Sequence, residues 1–338
     1  MRKSAVRETR TMTTERVQGY HEGGSYESRE SYAWAGFKYP GLIPYRASDR
    51  TAYINTNGEK VDPKTAEVKP FVPAGIGLEI ETGCDGIIGN EAYATVLKNV
   101  LLPILPEGFF KLQRDGSLRG KSTAEIISGI GTKEAWRNMY PALKQMYNDF
   151  FPLFGVHADA DHGCGMHVNI SRGLLGKTEE TQTETAKKLL YFVNMYYSFS
   201  AVLFHRVGST MYCGRMMTGN PAEMWAKIDR NFTEYTRVND HSLCFNLSHW
   251  NAGRIEIRLP GGQEKFGTFR NTLEVVFHIL PRLIKLNRAD LDDFVKVFSG
   301  CNRYVWDRLR TNCRQAGVIT EEALEAIRPT VDTETRYI

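Results

Sequence analysis

Apolar and charged side chains alternate along residues 75–83, which form the clearest strand pattern in the chain. Leu78 and Ile80 alternate there with Glu79 and Glu81. Successive side chains of a strand point to opposite faces, so a strand here places both carboxylates on one face and both aliphatic side chains on the other. Taken alone, the pattern is also typical of an antiparallel strand with a wet acidic face.

Three later stretches repeat this alternation, at residues 124–128, 164–172 and 254–259. Each of them predicts a strand that is aliphatic on one face and polar or charged on the other. If the four strands form one curved sheet, we expect its front to be wet and to carry the following side chains: Glu79, Glu81, Glu125, His167, Asn169, Arg254, Glu256 and Arg258.

Helical spacing of apolar residues predicts helices at 90–102, 132–151, 179–205, 267–288, 290–298, 302–315 and 320–327. Thr132 is a predicted N-cap, and Pro141 is expected to kink the second of these helices. Further strands are predicted at 109–114 and 243–247, whereas residues 208–236 show no clear pattern. Because strands and helices do not alternate regularly, the order favours an α+β fold with a mostly antiparallel sheet.

The chain is predicted to divide into three segments. Residues 1–73 have little periodicity and predict an N-terminal arm and irregular segment, of which 1–31 are flexible or docked on a partner. Aromatic side chains in this region suit docking, so we expect the arm to serve association or to cover the site. Residues 74–288 are the predicted catalytic core, and 289–338 are a helical segment packed on it.

Composition narrows the class of protein. The 338 residues are 42% hydrophobic and 24% charged, which is typical of a soluble globular protein. The net charge of +4 is compatible with anionic substrates and gives no strong nucleic-acid signal. No apolar run reaches the roughly 18 residues of a membrane span, and residues 1–10 do not resemble a signal peptide. The six cysteines are scattered without a C-x-x-C pair, so we expect reduced thiols and a cytoplasmic protein.

The residue types on the predicted front point to phosphoryl transfer. Two carboxylates about 7 Å apart on one strand face, such as Glu79 and Glu81, repel each other unless a cation lies between them. Carboxylates are ligands for Mg²⁺ or Mn²⁺, and arginines such as Arg258 bind phosphate bidentately. The chain has neither a G-x-x-x-x-G-K-[ST] loop nor a G-x-G-x-x-G turn after a strand, so any ATP site is predicted on the sheet.

The order of these motifs resembles the amidoligase family. They are G-x-E-x-E at 77–81, D-G-S-L at 115–118, E-I-x-S at 125–128, C-G-x-H-V-N at 164–169, N-L at 246–247 and R-I-E-I-R at 254–258. That family belongs to the carboxylate–amine ligases and is related to glutamate–cysteine ligases. The resemblance implies a glutamine synthetase-like fold, in which helices cover a curved, mostly antiparallel sheet. Asn169 stands where the family has a second histidine, and Leu259 stands where a phenylalanine often follows the last arginine.

The resemblance also implies an activity. ATP would phosphorylate a carboxylate, and an amine would attack the acyl phosphate. The implied Mg²⁺ or Mn²⁺ ligands are Glu79, Glu81, Glu125 and Glu256. The implied ATP-binding residues are Arg254, Arg258, His167 and Asn169. Of these, the two arginines and His167 would act on the transferred phosphoryl group, and Asp115 would steer the amine or bind metal.

Other interpretations stay open at this point. A zinc cluster could form from His157, His162, Cys164 and His167, although their spacing matches no common zinc finger. Cys164 and His167 could instead be a nucleophile and its base, and the Asp115 motif could be a plain turn. The main alternative to a ligase is an inactive structural or binding protein on the same fold that assembles through its arm. The acid and amine substrates, whether small molecules or peptide and protein side chains, are not identified, and a homo-oligomer stays open.

Overall fold

The structure divides into two compact units. The computed structural model describes residues 42–43, 53–54, 60–61, 74–85, 89–101, 109–113, 118, 122–158, 163–206, 213–238, 240–314, 317 and 319–329. The first unit is Met1–Met166 with Gly262–Phe266, and the second is His167–Gly261 with Gly267–Ile338. The predicted segment boundaries after residues 73 and 288 stay predictions. Most of the predicted arm, including residues 1–31, lies outside the described residues.

Strands and helices are mixed in both halves of the described chain. The strands are β1 Leu42–Ile43, β2 Tyr53–Ile54, β3 Lys60–Val61, β4 Ile76–Cys84, β5 Phe110–Gln113, β6 Thr123–Ser128, β7 Ile130–Gly131, β8 Val156–His157, β9 Met166–Ser171, β10 Phe245–Asn246 and β11 Arg254–Ile257. The α-helices are α1 Asn90–Leu101, α2 Lys133–Asn138, α3 Tyr140–Gln145, α4 Phe151–Phe154, α5 Arg172–Leu175, α6 Glu179–Met195, α7 Tyr197–Leu203, α8 Pro221–Tyr235, α9 Phe266–Lys285, α10 Phe294–Phe298, α11 Arg303–Arg308 and α12 Glu321–Ala326. The protein is therefore a mixed helix and sheet protein with an open antiparallel sheet, as α+β predicts. In the described part of the chain, no helix is long and apolar enough to cross a membrane.

Strand β4 is the central strand of the first unit. β6 pairs antiparallel along its second half, β7 pairs at its start and β8 at its end, while β5 extends the sheet beyond β6. β1, from the segment predicted to be irregular, pairs with β7 through its backbone. Leu78 and Ile80 are buried on the aliphatic face of β4, as their alternation predicts.

Helix α1 is fastened to the sheet by a hydrogen-bond chain. The hydroxyl of Tyr93 donates to the Thr82 hydroxyl over 2.8 Å, and Thr82 donates to the carbonyl of Ala124 over 2.7 Å. All three residues are buried, so each hydroxyl is satisfied inside the core rather than by water. The chain of bonds joins α1, β4 and β6 and fixes the register of the two strands.

The predicted helix at 132–151 is several short pieces. Thr132 caps α2, since its hydroxyl accepts from the backbone N–H of Ala135 over 3.2 Å. Met139 then separates α2 from α3, because Pro141 lies in the first turn of α3 and cannot continue the preceding hydrogen-bond ladder. A π-turn at Met146–Phe150 leads into α4. The predicted kink at Pro141 is a full break between two helices, and the π-turn is a further irregularity that the sequence pattern does not indicate.

The second unit holds a three-stranded antiparallel sheet and most of the helices. β11 pairs with β9 on one side and with β10 on the other. The predicted helix at 179–205 is two helices, α6 and α7, separated at Tyr196. The ammonium group of Lys188 on α6 donates to the carbonyl of Leu283 on α9 over 3.3 Å, which ties the two longest helices together.

His205 gives the second unit a predicted pH dependence. It is the one described non-glycine residue with a positive φ, 58°, and its Nδ1 accepts from Asn312 Nδ2 over 3.1 Å, so the ring is neutral. Burial, with a smaller contribution from the charge of Arg308, lowers its pKa from 6.5 to about 4. The unfolded chain therefore binds more protons between pH 6.5 and 4, and stability falls as the pH falls through this window.

We expect His205→Asn to remove this part of the pH dependence, because asparagine tolerates the same backbone conformation and does not titrate. Wild type should lose about 1 kcal/mol more than the variant between pH 7.5 and 5, after allowance for solvent screening of the partly exposed ring. Urea titrations at both pH values measure this, with His241→Asn on an exposed side chain as the matched control. Parallel pH profiles for wild type and His205→Asn would contradict the assignment.

Candidate functional site

The predicted site residues fall into two groups, one in each unit. Glu79, Glu81 and Glu125 lie in the first unit and are called the acidic group. His167, Asn169, Arg254, Glu256 and Arg258 lie in the second unit. Asp115 lies outside the described residues. The prediction that both groups share one sheet front stays a prediction.

The acidic group is built by the pairing of β4 with β6. In this register Glu81 is directly opposite Glu125, and Glu79 is two residues before Glu81 on the same strand face. Directly opposite residues of an antiparallel pair have their Cβ atoms about 5 Å apart. The sequence pattern therefore places the two carboxylates correctly by face, and the strand register brings them together.

Both opposing carboxylates are buried. Glu81 is 6% exposed and Glu125 is 7% exposed, while Glu79 is half-buried. The expectation of a wet front is wrong here, because alternation along a strand predicts which face a side chain takes but not what covers that face. Burial strengthens the mutual repulsion of like charges, since the local dielectric constant is lower than in water.

Glu81 is held in place by the backbone. Its Oε2 accepts a short hydrogen bond from the N–H of Gly165, and its own N–H donates to the Gly165 carbonyl over 3.1 Å. A backbone N–H donating to a carboxylate favours the ionised form of the acid. Gly165 therefore orients the Glu81 carboxylate beside Glu125, and a divalent cation is a chemically suitable partner for such a pair.

In the second unit, Glu256 is the centre of a hydrogen-bonded network. Its Oε1 accepts from Arg258 Nη1 over 2.7 Å and lies 3.3 Å from His167 Nδ1. Its Oε2 accepts from Asn246 Nδ2 over 3.1 Å. We call these four residues the Glu256 network. Glu256 is 3% exposed, so the expectation of a wet front is wrong for this strand as well.

Nδ1 of His167 faces two groups of opposite character. It lies 3.3 Å from Glu256 Oε1, which can only accept a hydrogen bond, and 3.5 Å from Arg258 Nη1, which can only donate one. The two contacts therefore fix the position of the imidazole ring and favour opposite states of its Nδ1 atom. Among the described residues, Arg258, His167 and Asn246 take three of the roughly four acceptor positions of the Glu256 carboxylate, which leaves one for a metal.

Strand register explains why these residues meet. Asn169 on β9 and Asn246 on β10 both pair directly with Glu256, so three neighbouring strands place them in one row on one sheet face. Arg254 pairs with Ser171 two positions along the same face. Behind this face Ile255 and Ile257 are fully buried. Asn246 is a site residue that the strand patterns do not single out, although it lies in the N-L motif.

The two interpretations that involve Cys164, as a zinc ligand or as a nucleophile, stay predictions. Cys164 is buried, and its thiol makes a long contact of 3.9 Å with the His157 carbonyl. The ring of His157 lies 3.5 Å from Asp85. Among the described residues, no group of potential metal ligands contains Cys164 or His157. His162 lies outside the described residues, so the zinc cluster as a whole stays untested.

Comparison with known proteins assigns no family. No protein-family model matches the chain, and a search of curated proteins finds no match. Function is therefore inferred from the chain's own residues and their geometry.

Proposed function

We propose that this protein is an ATP- and Mg²⁺- or Mn²⁺-dependent carboxylate–amine ligase that works through an acyl phosphate. The observation that carries the proposal is the pair of buried, directly opposed carboxylates Glu81 and Glu125. Their hard oxygen atoms suit Mg²⁺, which proteins usually hold with a few carboxylates and with substrate phosphates. The bound ion would neutralise the negative charge of the ATP phosphates. The glutamine synthetase-like form of the α+β fold is part of this proposal.

The proposed chemistry has two steps. A carboxylate oxygen of the acid attacks the terminal phosphorus of ATP, and ADP leaves. The amine then attacks the acyl carbon, and phosphate leaves as the amide forms. Phosphoryl transfer depends mainly on positioning and on neutralising charge, so fixed cations and fixed metal ligands are what the protein has to supply.

The residues take the following roles in the proposal. Glu79, Glu81, Glu125 and Glu256 bind metal, and Asp115 steers the amine or binds metal. Arg254, Arg258, His167 and Asn169 bind the phosphates of ATP.

Arg258 supports the proposal most directly in the second unit. Its guanidinium is oriented by the buried carboxylate of Glu256, so it need not be ordered anew at each turnover. Glu256 is therefore a positioning residue in addition to a candidate ligand. The inactive alternative depends on the arm at residues 1–31, which lies outside the described residues.

We expect nucleotide binding to require a divalent cation, because buried carboxylates repel a triphosphate unless a cation lies between them. Calorimetry with ATP should show binding in Mg²⁺ and none in EDTA. Formation of ADP in the presence of a panel of carboxylates and amines then tests the reaction itself. Equal ATP affinity in Mg²⁺ and in EDTA would contradict the proposed metal site.

A further inference from the structure

Arg206 is a second arginine, placed beside residues 260 and 261, shortly after Arg258. The backbone of Arg206 lies close to Gly261. A Cβ atom added to Gly261 would be only 3.2 Å from the Cα of Arg206, so glycine at this position permits the close approach. Arg206 Nη1 donates to the carbonyl of Pro260 over 3.4 Å, a long bond. Pro260 is two residues beyond Arg258, so the Arg206 guanidinium lies along the same stretch of chain.

Neither arginine has all its donors satisfied. The Nε atoms of Arg206 and Arg258 are buried and have no hydrogen-bond partner among the described residues. Arg258 is paired with Glu256, whereas Arg206 has no carboxylate within 4 Å in the described part of the chain. A buried N–H without an acceptor is costly, so two such groups call for an acceptor.

Cys213 is linked to the backbone of Arg258 through two hydrogen-bonded neighbours. The carbonyl of Cys213 accepts a hydrogen bond from the hydroxyl of Tyr197, at the start of α7. The carbonyl of the next residue, Gly214, accepts from the N–H of Cys244, and the carbonyl of Cys244 accepts from the N–H of Arg258. Burial raises the pKa of the Cys213 thiol to about 11, and the positive charges of Arg206 and Arg258 oppose that rise. The charges of both arginines therefore act on the Cys213 segment, with Arg206 three residues beyond α7 and Arg258 directly after β11.

We propose that Arg206 and Arg258 together bind one phosphate group. This assignment adds a residue to the site and rests on the proposed function. A tetrahedral phosphate offers oxygen atoms in several directions and can accept from two guanidinium groups at once, whereas Glu256 is already held by its own network. The alternative, that Arg206 only ties its loop to Pro260, leaves the buried Nε without an acceptor.

The test is calorimetry with inorganic phosphate, ADP and ATP, each in Mg²⁺, on wild type, Arg206→Met and Arg206→Lys. We expect Arg206→Met to weaken phosphate or ATP binding by about tenfold to a hundredfold, the range for losing a hydrogen bond to a charged group. Arg206→Lys should recover only part of the affinity, since it keeps the charge and loses the fork. If Arg206→Met binds ATP more weakly but ADP equally well, the two arginines hold the terminal phosphate of ATP. If only the binding of inorganic phosphate is weakened, they hold the free phosphate ion.

Arg215→Met is the matched control, because Arg215 is exposed and its loss changes the net charge equally. Circular dichroism and thermal melting show whether each variant is folded. Unchanged affinity for all three probes in folded Arg206→Met and Arg206→Lys overturns the assignment, even if the protein proves to be a ligase. Phosphate binding that depends on Arg206 in a protein without ligase turnover keeps the assignment and removes the proposed function.

Discussion

Glu256→Gln and Arg258→Lys should each slow ATP turnover strongly, by about 2–4 kcal/mol of transition-state stabilisation. The two groups are in contact, with 2.7 Å between Arg258 Nη1 and Glu256 Oε1, and the carboxylate is buried. Glutamine keeps the shape of Glu256 and loses the charge that orients the guanidinium. Lysine keeps the charge of Arg258 and loses its fork.

The double variant should lose much less than the sum of the two singles, because both residues act on one transferred group. The measurement is ADP formation by the two single variants and the double variant, with circular dichroism and urea unfolding as folding controls.

Because Glu256 is buried, Glu256→Gln should also lower the free energy of unfolding by about 1–3 kcal/mol, since Asn246 and Arg258 lose a charged acceptor.

Glu179→Gln is the matched control for that stability change. Glu179 also pairs with an arginine, Arg172, over 3.2 Å, but its side chain is 75% exposed. The same substitution there should cost no more than about 1 kcal/mol and leave turnover unchanged. Folded Glu256→Gln and Arg258→Lys variants with wild-type turnover would remove β11 from the active site.

Strand faces could be predicted from the sequence, but strand partners could not. The alternation of Leu78, Glu79 and Ile80 is enough to assign the two faces of β4, because side chains alternate at every residue. The opposition of Glu81 and Glu125 depends on register, which is set by the chain between the two strands and by the packing of the whole sheet. For the same reason Asn246 could not be assigned to the site from its motif alone.

Helix α8 begins with a helix-start motif, although the apolar pattern of residues 208–236 does not predict a helix there. The side chain of Asn220 accepts from the N–H of Glu223 over 3.0 Å, and the carboxylate of Glu223 accepts from the N–H of Asn220 over 3.4 Å. This is a capping box, with Pro221 in the first turn. Asn-Pro followed by glutamate is readable in the sequence as a helix start. The π-turn at Met146–Phe150 has no comparable local signal, since it depends on packing.

Glu125→Gln should have opposite effects on stability with and without metal. In EDTA the variant should be more stable than wild type by about 1–2 kcal/mol, because two buried carboxylates no longer face each other. With saturating Mn²⁺ the order should reverse. Wild type should gain about 2.7 kcal/mol at a hundredfold excess of metal over its dissociation constant, whereas the variant loses a ligand and gains little. Glu125 is the better position to change, because Glu81 also holds the N–H of Gly165.

Urea unfolding of wild type and Glu125→Gln, each in EDTA and in Mn²⁺, gives the four free energies that this reversal needs. Glu134→Gln is the matched control in the same unit, because Glu134 is exposed in the first turn of α2. It should cost at most about 1 kcal/mol through the helix dipole and leave the response to Mn²⁺ unchanged. If Mn²⁺ stabilised Glu125→Gln as much as wild type, the ion would bind elsewhere. If Glu125→Gln were destabilised in EDTA, the two acids would not repel in the folded protein, and a proton or another group would already neutralise the pair.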